Sequence, residues 1–186
     1  INKIRLPIYI SGSNFIRPIN FFENKGSAQC KSAVMFAALN TLGQTIIKAK
    51  KSRNHSELLF KYLKLPIKII KRNKYDLIKV IGKRNIPALN YKIPSDISSA
   101  TFFIILTALA KNSSLKIKNV NINPSRMGAF YILKLMGIKI AKLNVKNYKG
   151  EKIADLVIKS TNKIKPINCP IKFNSSAIDE FLLIFL

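Results

Sequence analysis

The sequence predicts an α/β protein built from a repeated strand–helix–strand–helix–strand–strand unit, βαβαββ. Two observations carry this. Short alternating or β-branched runs are interleaved with longer alanine- and leucine-rich stretches of helical spacing. The succession of elements then begins again after residue 96, with echoes in the letters. Ser32-Ala33 returns as Ser99-Ala100, and Leu39 and Leu42 return at the same offset as Leu106 and Leu109. The string YLKLPIKII (62–70) reappears as YILKLMGIKIA (131–141), and Ser98-Ser99-Ala100 returns again as Ser175-Ser176-Ala177. Recurrence in this order is the mark of copies of one supersecondary unit.

In chain order, strands are expected over Ile4–Ile10 and Phe15–Phe22, separated by the turn-like SGSN at 11–14. A helix follows over Ser27–Leu42, with Ser27 as N-cap and Gly43 as its stop. A strand over Thr45–Ala49 leads to a second helix near Asn54, where Asn54 and Glu57 have capping-box spacing. Strands over Leu65–Ile70 and Asp76–Ile81 complete the first round. The segment KRNIPALNYKIPSD (83–96), with two prolines, is the linker. The second round reads as a buried helix Ser98–Ala110 capped by Asp96, a strand Leu115–Val120, and a helix Ser125–Met136 introduced by Asn123-Pro124 and stopped by Gly137. Strands over Ile138–Val145, Ala154–Lys159 and Ile167–Phe173 follow, and another helix starts at Ser176.

Bulk properties exclude several classes. A hydrophobic content of 48% excludes a disordered chain. The longest apolar runs, such as TFFIILTALA from residue 101, are too short to span a bilayer. No secretory signal is visible, and Cys30 and Cys169 stand far apart, so the expected setting is a reducing, cytoplasmic one without a structural metal. The net charge is +25, from 33 Lys+Arg against 8 Asp+Glu. Charge of that size suits nucleic acid, membrane surfaces or small anions. The lysines are scattered singly through apolar segments and there is no Trp, unlike the clustered cations and interleaved aromatics of a nucleic-acid-binding module. Much of the charge matches the Lys-, Ile- and Asn-rich mixture of an AT-rich genome. The chain starts at Ile1 and stops inside the apolar run DEFLLIFL, as an internal piece of a longer protein would.

Four places could carry chemistry. Ser27 and Gln29 stand at the mouth of the first helix, where free backbone N–H groups suit an anion; a simple cap and a solvated first-turn residue would explain them as well. Lys31, in the same turn, is electrostatically unfavourable there. Arg53, with His55 beside it, precedes the second helix and could grip phosphate or carboxylate, or be a solvated cation. Arg126 reads as a structural ion-pair partner at a helix start. Asp179-Glu180 are acids in a strongly basic chain, either complementing a helix dipole or supplying a proton-accepting carboxylate.

Seven motifs in order then give a resemblance: GSAQCKSA (26–33), SRNHSE (52–57), IPSDISSATFF (93–103), NPSRMG (123–128), MGIKI (136–140), GEKIADL (150–156) and SSAIDEF (175–181). Together they resemble the middle of the 5-enolpyruvylshikimate-3-phosphate synthase family, with its SAQ-x-KSA, RDHTE, PGD-x-SSA, NP-T-R-x-G and IDE landmarks. The resemblance implies an enolpyruvyl transferase-like fold of two domains, each made of βαβαββ units with helices inside and sheets outside. Residues 1–93 would belong to the first domain and 94–186 to the second, with the active site in the cleft between them. It implies transfer of the enolpyruvyl group of phosphoenolpyruvate to the 5-hydroxyl of shikimate 3-phosphate through a tetrahedral intermediate, releasing phosphate, with no cofactor or metal. Ser27, Ala28 and Gln29 match shikimate-3-phosphate contacts, Gln29 also reaching phosphoenolpyruvate. Arg53 matches a further shikimate-3-phosphate contact, and Asp179 matches the aspartate that takes the hydroxyl proton. Lys31 is expected to contribute field rather than a contact.

Asn54 in place of Asp, Ser95 in place of Gly and Leu182 in place of Pro depart from the family pattern. The family's other ligands fall outside these residues, so the chain alone is expected to lack transferase activity, and the full-length protein is expected to be a monomer. Alternatives are the related UDP-N-acetylglucosamine enolpyruvyl transferase, whose helix motif and catalytic Cys are not matched, and the basic nucleic-acid-binding module.

Overall fold

The protein is described by a computed structural model covering residues 9, 11–82, 85–86 and 88–185. The first round of elements is β1 (Asn20–Glu23), α1 (Ala28–Ala38), β2 (Gln44–Lys50), α2 (His55–Tyr62), β3 (Ile67–Lys71) and β4 (Tyr75–Ile81). The second is α3 (Ile97–Leu109), β5 (Ser114–Asn121), α4 (Gly128–Leu135), β6 (Lys139–Tyr148) and β7 (Glu151–Lys159), followed by the short helices α5 (Asn174–Ala177) and α6 (Phe181–Ile184).

The two rounds share one topology. The first sheet has the order β1-β2-β4-β3, with β1 parallel to β2 and the other neighbours antiparallel. The second has the order β5-β7-β6. Its missing edge partner is reduced to one residue: Ser95 bridges Val120 of β5 in parallel, as β1 does β2. Ser95, the departure from the family glycine, is therefore held as a strand residue. Its N–H donates to Asn119 O (3.0 Å) and its hydroxyl to Lys118 O (3.1 Å).

Each sheet buries one face under its own helices. Thr45, Ile47 and Ala49 alternate inward on β2 and, with Ile78 and Val80 of β4, meet Met35, Ala38, Leu39 and Phe60. On the other sheet Leu156 and Ile158 of β7 pack with Ile97, Ile104, Ala108, Phe130 and Leu133. The central strand β7 is buried along most of its length, whereas its neighbour β6 is almost wholly exposed and carries Lys139, Lys142 and Lys146. Lysines on an exposed edge discourage pairing with another chain.

Several expectations need correction. The strand expected at Phe15–Phe22 forms only over Asn20–Glu23, and that at Ile4–Ile10 falls almost wholly outside the described residues. Ile167–Phe173 is no strand: Pro170 interrupts it, removing a ladder donor, and Ile171–Phe173 make a 3-10 turn. The helix expected over Ser125–Met136 divides into a 3-10 turn at Pro124–Arg126 and α4, with Asn123 Oδ1 accepting the Ser125 N–H (3.0 Å). The Asn54–Glu57 capping box does not form, because Glu57 is drawn to another partner. Helix α3 is buried on one face only; Phe102, Phe103, Leu106 and Leu109 are exposed on the other. Asp96 does cap it, accepting the Ser99 N–H at 3.0 Å.

The second sheet is pinned by one carboxylate. Both neighbours of β7 carry a bulge, between Ile117 and Val120 on β5 and between Leu143 and Lys146 on β6. Each bulge contains an Asn in the left-handed region, Asn119 (φ 52°) and Asn144 (φ 52°), a conformation Asn tolerates better than most residues. Asp155 of β7 binds both: Oδ1 accepts the Asn119 N–H (3.0 Å), and Oδ2 accepts from Asn144 Nδ2 (2.9 Å) and Lys116 Nζ (3.2 Å). The Asn119 N–H, then Asn144 and Lys116, hold the Asp155 carboxyl down at about 2, from an ordinary 3.8. A carboxyl depressed on folding contributes stability that is complete above its unfolded pKa and is lost as pH falls through the folded value. Asp155→Asn should therefore lower stability near neutral pH and flatten the acid limb of the stability curve between about pH 4 and 2, followed by urea denaturation across pH. An unchanged acid limb would contradict this role.

Candidate active site

A cleft of about 440 Å³ opens between the two units, and three stretches of chain build it. The first is the start of α1. Glu23, at the end of β1, is buried, and its carboxylate accepts the N–H groups of Lys25 and Gly26, both at 2.8 Å. Burial opposes its charge, but N–H groups of Ser27, Lys25 and Gly26 outweigh that and hold the carboxyl below its usual range. The chain turns through Gly26 (φ 79°), and Ser27 caps the helix by accepting the Cys30 N–H at 3.2 Å. Gly26, Ala28 and Gln29 line the cleft, whereas Ser27, between them in sequence, is not among its lining residues. The first N–H groups of a helix lack carbonyl partners within it, and the dipole adds partial positive charge there.

The second stretch is the loop Lys51-Ser52-Arg53 between β2 and α2. The third comes from the other unit: Pro124 and Ser125 after β5, then Lys172, Ser175, Ser176, Ile178 and Asp179. Arg53 crosses the cleft to Asp179, its guanidinium Nη2 donating to Oδ2. Both side chains are partly exposed, so the pair is worth little as a stabilising force and is open to exchange partners. Lys51, Arg53 and Lys172 against one carboxylate make the cleft cationic.

The sequence-predicted residues Ala28, Gln29, Arg53 and Asp179 thus meet on one cleft, while Ser27 is engaged as the α1 N-cap and does not line it. Two details differ from expectation. Asp179 is not in the first turn of a helix; it lies in the turn between α5 and α6. Its neighbour Glu180 is buried, and burial raises its carboxyl above the usual range, opposed by a hydrogen bond from Ser98. The two adjacent acids are divided by environment, one facing the cleft and the other the interior. Lys31 is not a diffuse field source either: it is buried, with Nζ on Glu57 Oε1 at 2.6 Å and on Arg53 O at 2.8 Å. Arg126 is the inter-element ion-pair partner expected, joined to Asp96 at 2.7 Å and to the Ser98 hydroxyl at 2.5 Å.

Sequence reasoning missed Lys51, Ser125, Lys172, Ser175 and Ser176. The third Ser-Ser-Ala echo pointed at Ser175 and Ser176, since the same letters open α3. Nothing distinguished Lys51 and Lys172 among so many lysines.

The repeated βαβαββ topology and the cationic cleft match the architecture that the resemblance to the enolpyruvyl transferases implied. The chain belongs to the EPSP synthase (3-phosphoshikimate 1-carboxyvinyltransferase) family, whose family model matches residues 1–185. It is 39% identical over 158 residues to the 3-phosphoshikimate 1-carboxyvinyltransferase of Caldicellulosiruptor bescii, covering 84% of this chain and 36% of that one. It is 38% identical to that of Ruthia magnifica subsp. Calyptogena magnifica, covering all 186 residues here and 42% of the relative. Among solved structures, EPSP synthase from Acinetobacter baumannii superposes with a TM-score of 0.81 at 32% identity, over 95% of this chain and 39% of that one. The enolpyruvyl transferase NikO from Streptomyces tendae, at 11% identity and a TM-score of 0.57, shares the fold. The chain spans about two-fifths of the length of these curated relatives.

The placing of Asp179 depends on a close approach. A Cβ at Gly128, the first residue of α4, would fall 2.5 Å from Ser176 Oγ and 2.7 Å from Ser176 C. Gly128→Ala should force α5 and the Ser175–Asp179 wall outward at a cost of about 1–3 kcal/mol, read from urea denaturation. Stability equal to that of the unsubstituted protein would show that the approach is not tight.

Proposed function

We propose that these residues form the shikimate-3-phosphate half of a 3-phosphoshikimate 1-carboxyvinyltransferase, in which the enolpyruvyl group of phosphoenolpyruvate passes to the substrate's 5-hydroxyl and phosphate leaves. The observation that carries the reading is the meeting of the α1 N-terminus, Arg53 and Asp179 on one cationic cleft, from stretches far apart in sequence. Ser27, Ala28 and Gln29 would receive the phosphate-bearing shikimate through first-turn N–H groups and short polar side chains. Gln29 also reaches toward phosphoenolpyruvate. Arg53 exchanges Asp179 for substrate oxygens when substrate enters. The released carboxylate then accepts the proton of the attacking hydroxyl, as a positioned general base does. Cations flanking the cleft lower the repulsion between two anionic substrates.

The proposal extends to organisation. Residues 1–93 and 94–186 each carry a separate core, which supports their assignment to different domains with the cleft between them. The exposed faces of α3 and of α1, where Phe36 is half-exposed, suit coverage by further units of a longer chain.

Tests follow from the division of roles. In the full-length protein, Asp179→Asn should lower kcat by roughly 10²–10⁴ while substrate binding persists. Arg53→Ala should raise the KM for shikimate 3-phosphate by roughly tenfold or more, as loss of a charged hydrogen bond does. Phosphate release requiring both substrates is the assay. The 186-residue chain alone should show no such release, and turnover by it would contradict that expectation alone; full activity of Asp179→Asn in the full-length protein would overturn the assigned roles.

A further inference from the structure

Two motifs of the sequence, GSAQCKSA and SRNHSE, meet behind the cleft through residues that do not themselves line it. Lys31 of α1 and Glu57 of α2 form an ion pair at 2.6 Å, with side chains 3% and 6% exposed. Glu57 Oε2 is buried and finds no partner among the described residues, so Lys31 is its compensation. The same ammonium donates to the backbone carbonyl of Arg53 at 2.8 Å. One residue along each helix, the hydroxyls of Ser32 and Ser56 are 2.6 Å apart. Together these contacts fix the start of α2, and the loop leading into it, against the first turn of α1.

A buried pair of this kind is weak evidence for stability, because desolvation consumes most of the attraction and apolar replacements are often no worse. Its cost makes sense where it fixes geometry. Without it, the carbonyl of Arg53 loses its donor, and only the Ser32–Ser56 hydroxyl contact, three residues further on, still ties this stretch to a side chain of α1. We propose that the Lys31–Glu57 pair is a positioning device that sets Arg53 at the right distance from the Ala28–Gln29 first turn for one doubly bound anion. This rests on the reading of the cleft as the shikimate-3-phosphate site. It also gives Lys31 a reason to occupy an electrostatically poor place in a helix: its charge is neutralised by Glu57 and directed at a carbonyl.

The discriminating variant is the double replacement Lys31→Met/Glu57→Leu in the full-length protein, which removes the pair without leaving a buried charge. The expected result is retained thermal stability, a KM for shikimate 3-phosphate raised about tenfold, and kcat changed far less. Glu57→Gln, which keeps an acceptor for Lys31, should recover most of that loss. A double variant with unchanged KM overturns the inference while leaving the proposed function standing. Absence of turnover in the unsubstituted full-length protein sinks the proposed function instead. Backbone NMR relaxation of residues 51–54 in the same two proteins is a readout free of turnover. Greater motion confined to this loop in the double variant supports the device, and identical relaxation overturns it.

Discussion

The cleft exists because a hairpin of one unit is pressed against a helix of the other. Lys149 (φ 47°) and Gly150 (φ 88°) make the left-handed turn between β6 and β7, the kind that joins two-residue hairpins. A Cβ at Gly150 would stand 3.0 Å from Leu58 O and 3.1 Å from Tyr62 Cβ, both in α2. That contact brings Glu151 to His55, with Oε1 2.5 Å from Nδ1, while Oε2 accepts from Asn123 Nδ2 at 3.1 Å. Asn123 also reaches Asn54 Oδ1 at 2.9 Å. Asn54, which departs from the family's usual Asp, thus takes part in the joint as a neutral acceptor. Arg53 and Ser125 stand one and two residues from this joint on their respective units, so the cleft inherits its width.

Negative charge is scarce in this protein and is placed where backbone must be held. Of the 8 acids, Glu23, Glu57, Glu151, Asp155 and Glu180 are buried. Glu23 gathers the loop before α1, Glu57 braces α2, Glu151 joins the units, and Asp155 pins two bulges. Asp179 differs, being half exposed and facing the cleft. The high net charge then has two parts: dispersed surface lysine such as that of β6, and a few cations at the cleft where an anion is wanted. Only the second bears on the proposed function.

Local pattern revealed most of the architecture because helix starts and stops are written in short-range chemistry. Ser27, Asp96, Asn123 and Gly137 acted as their types suggest. No strand forms at 167–173, despite its apolar letters, because Pro170 removes a ladder donor and the chain turns after it. Residues at the cleft were legible only in company: Gln29, Arg53 and Asp179 each had an ordinary structural explanation, and Ala28 drew no notice, until seven motifs stood in order. Long-range pairs stayed hidden. Glu57 at capping-box spacing from Asn54 reads as a local partner, and nothing within α2 announces that Lys31 will claim it. Likewise Asp155 gives no hint that it serves bulges on both flanking strands, since a bulge is a property of paired strands.

The central claim is that α1, Arg53 and Asp179 receive one phosphate-bearing anion. It is tested most directly by titrating shikimate 3-phosphate into isotope-labelled full-length protein and following resonances by NMR. Concerted, saturable shifts are expected at the Ala28 and Gln29 amides, the Arg53 guanidinium and the residues around Asp179, with one shared dissociation constant. Saturable binding that leaves these groups unmoved, or shifts at them with unrelated constants, would contradict it.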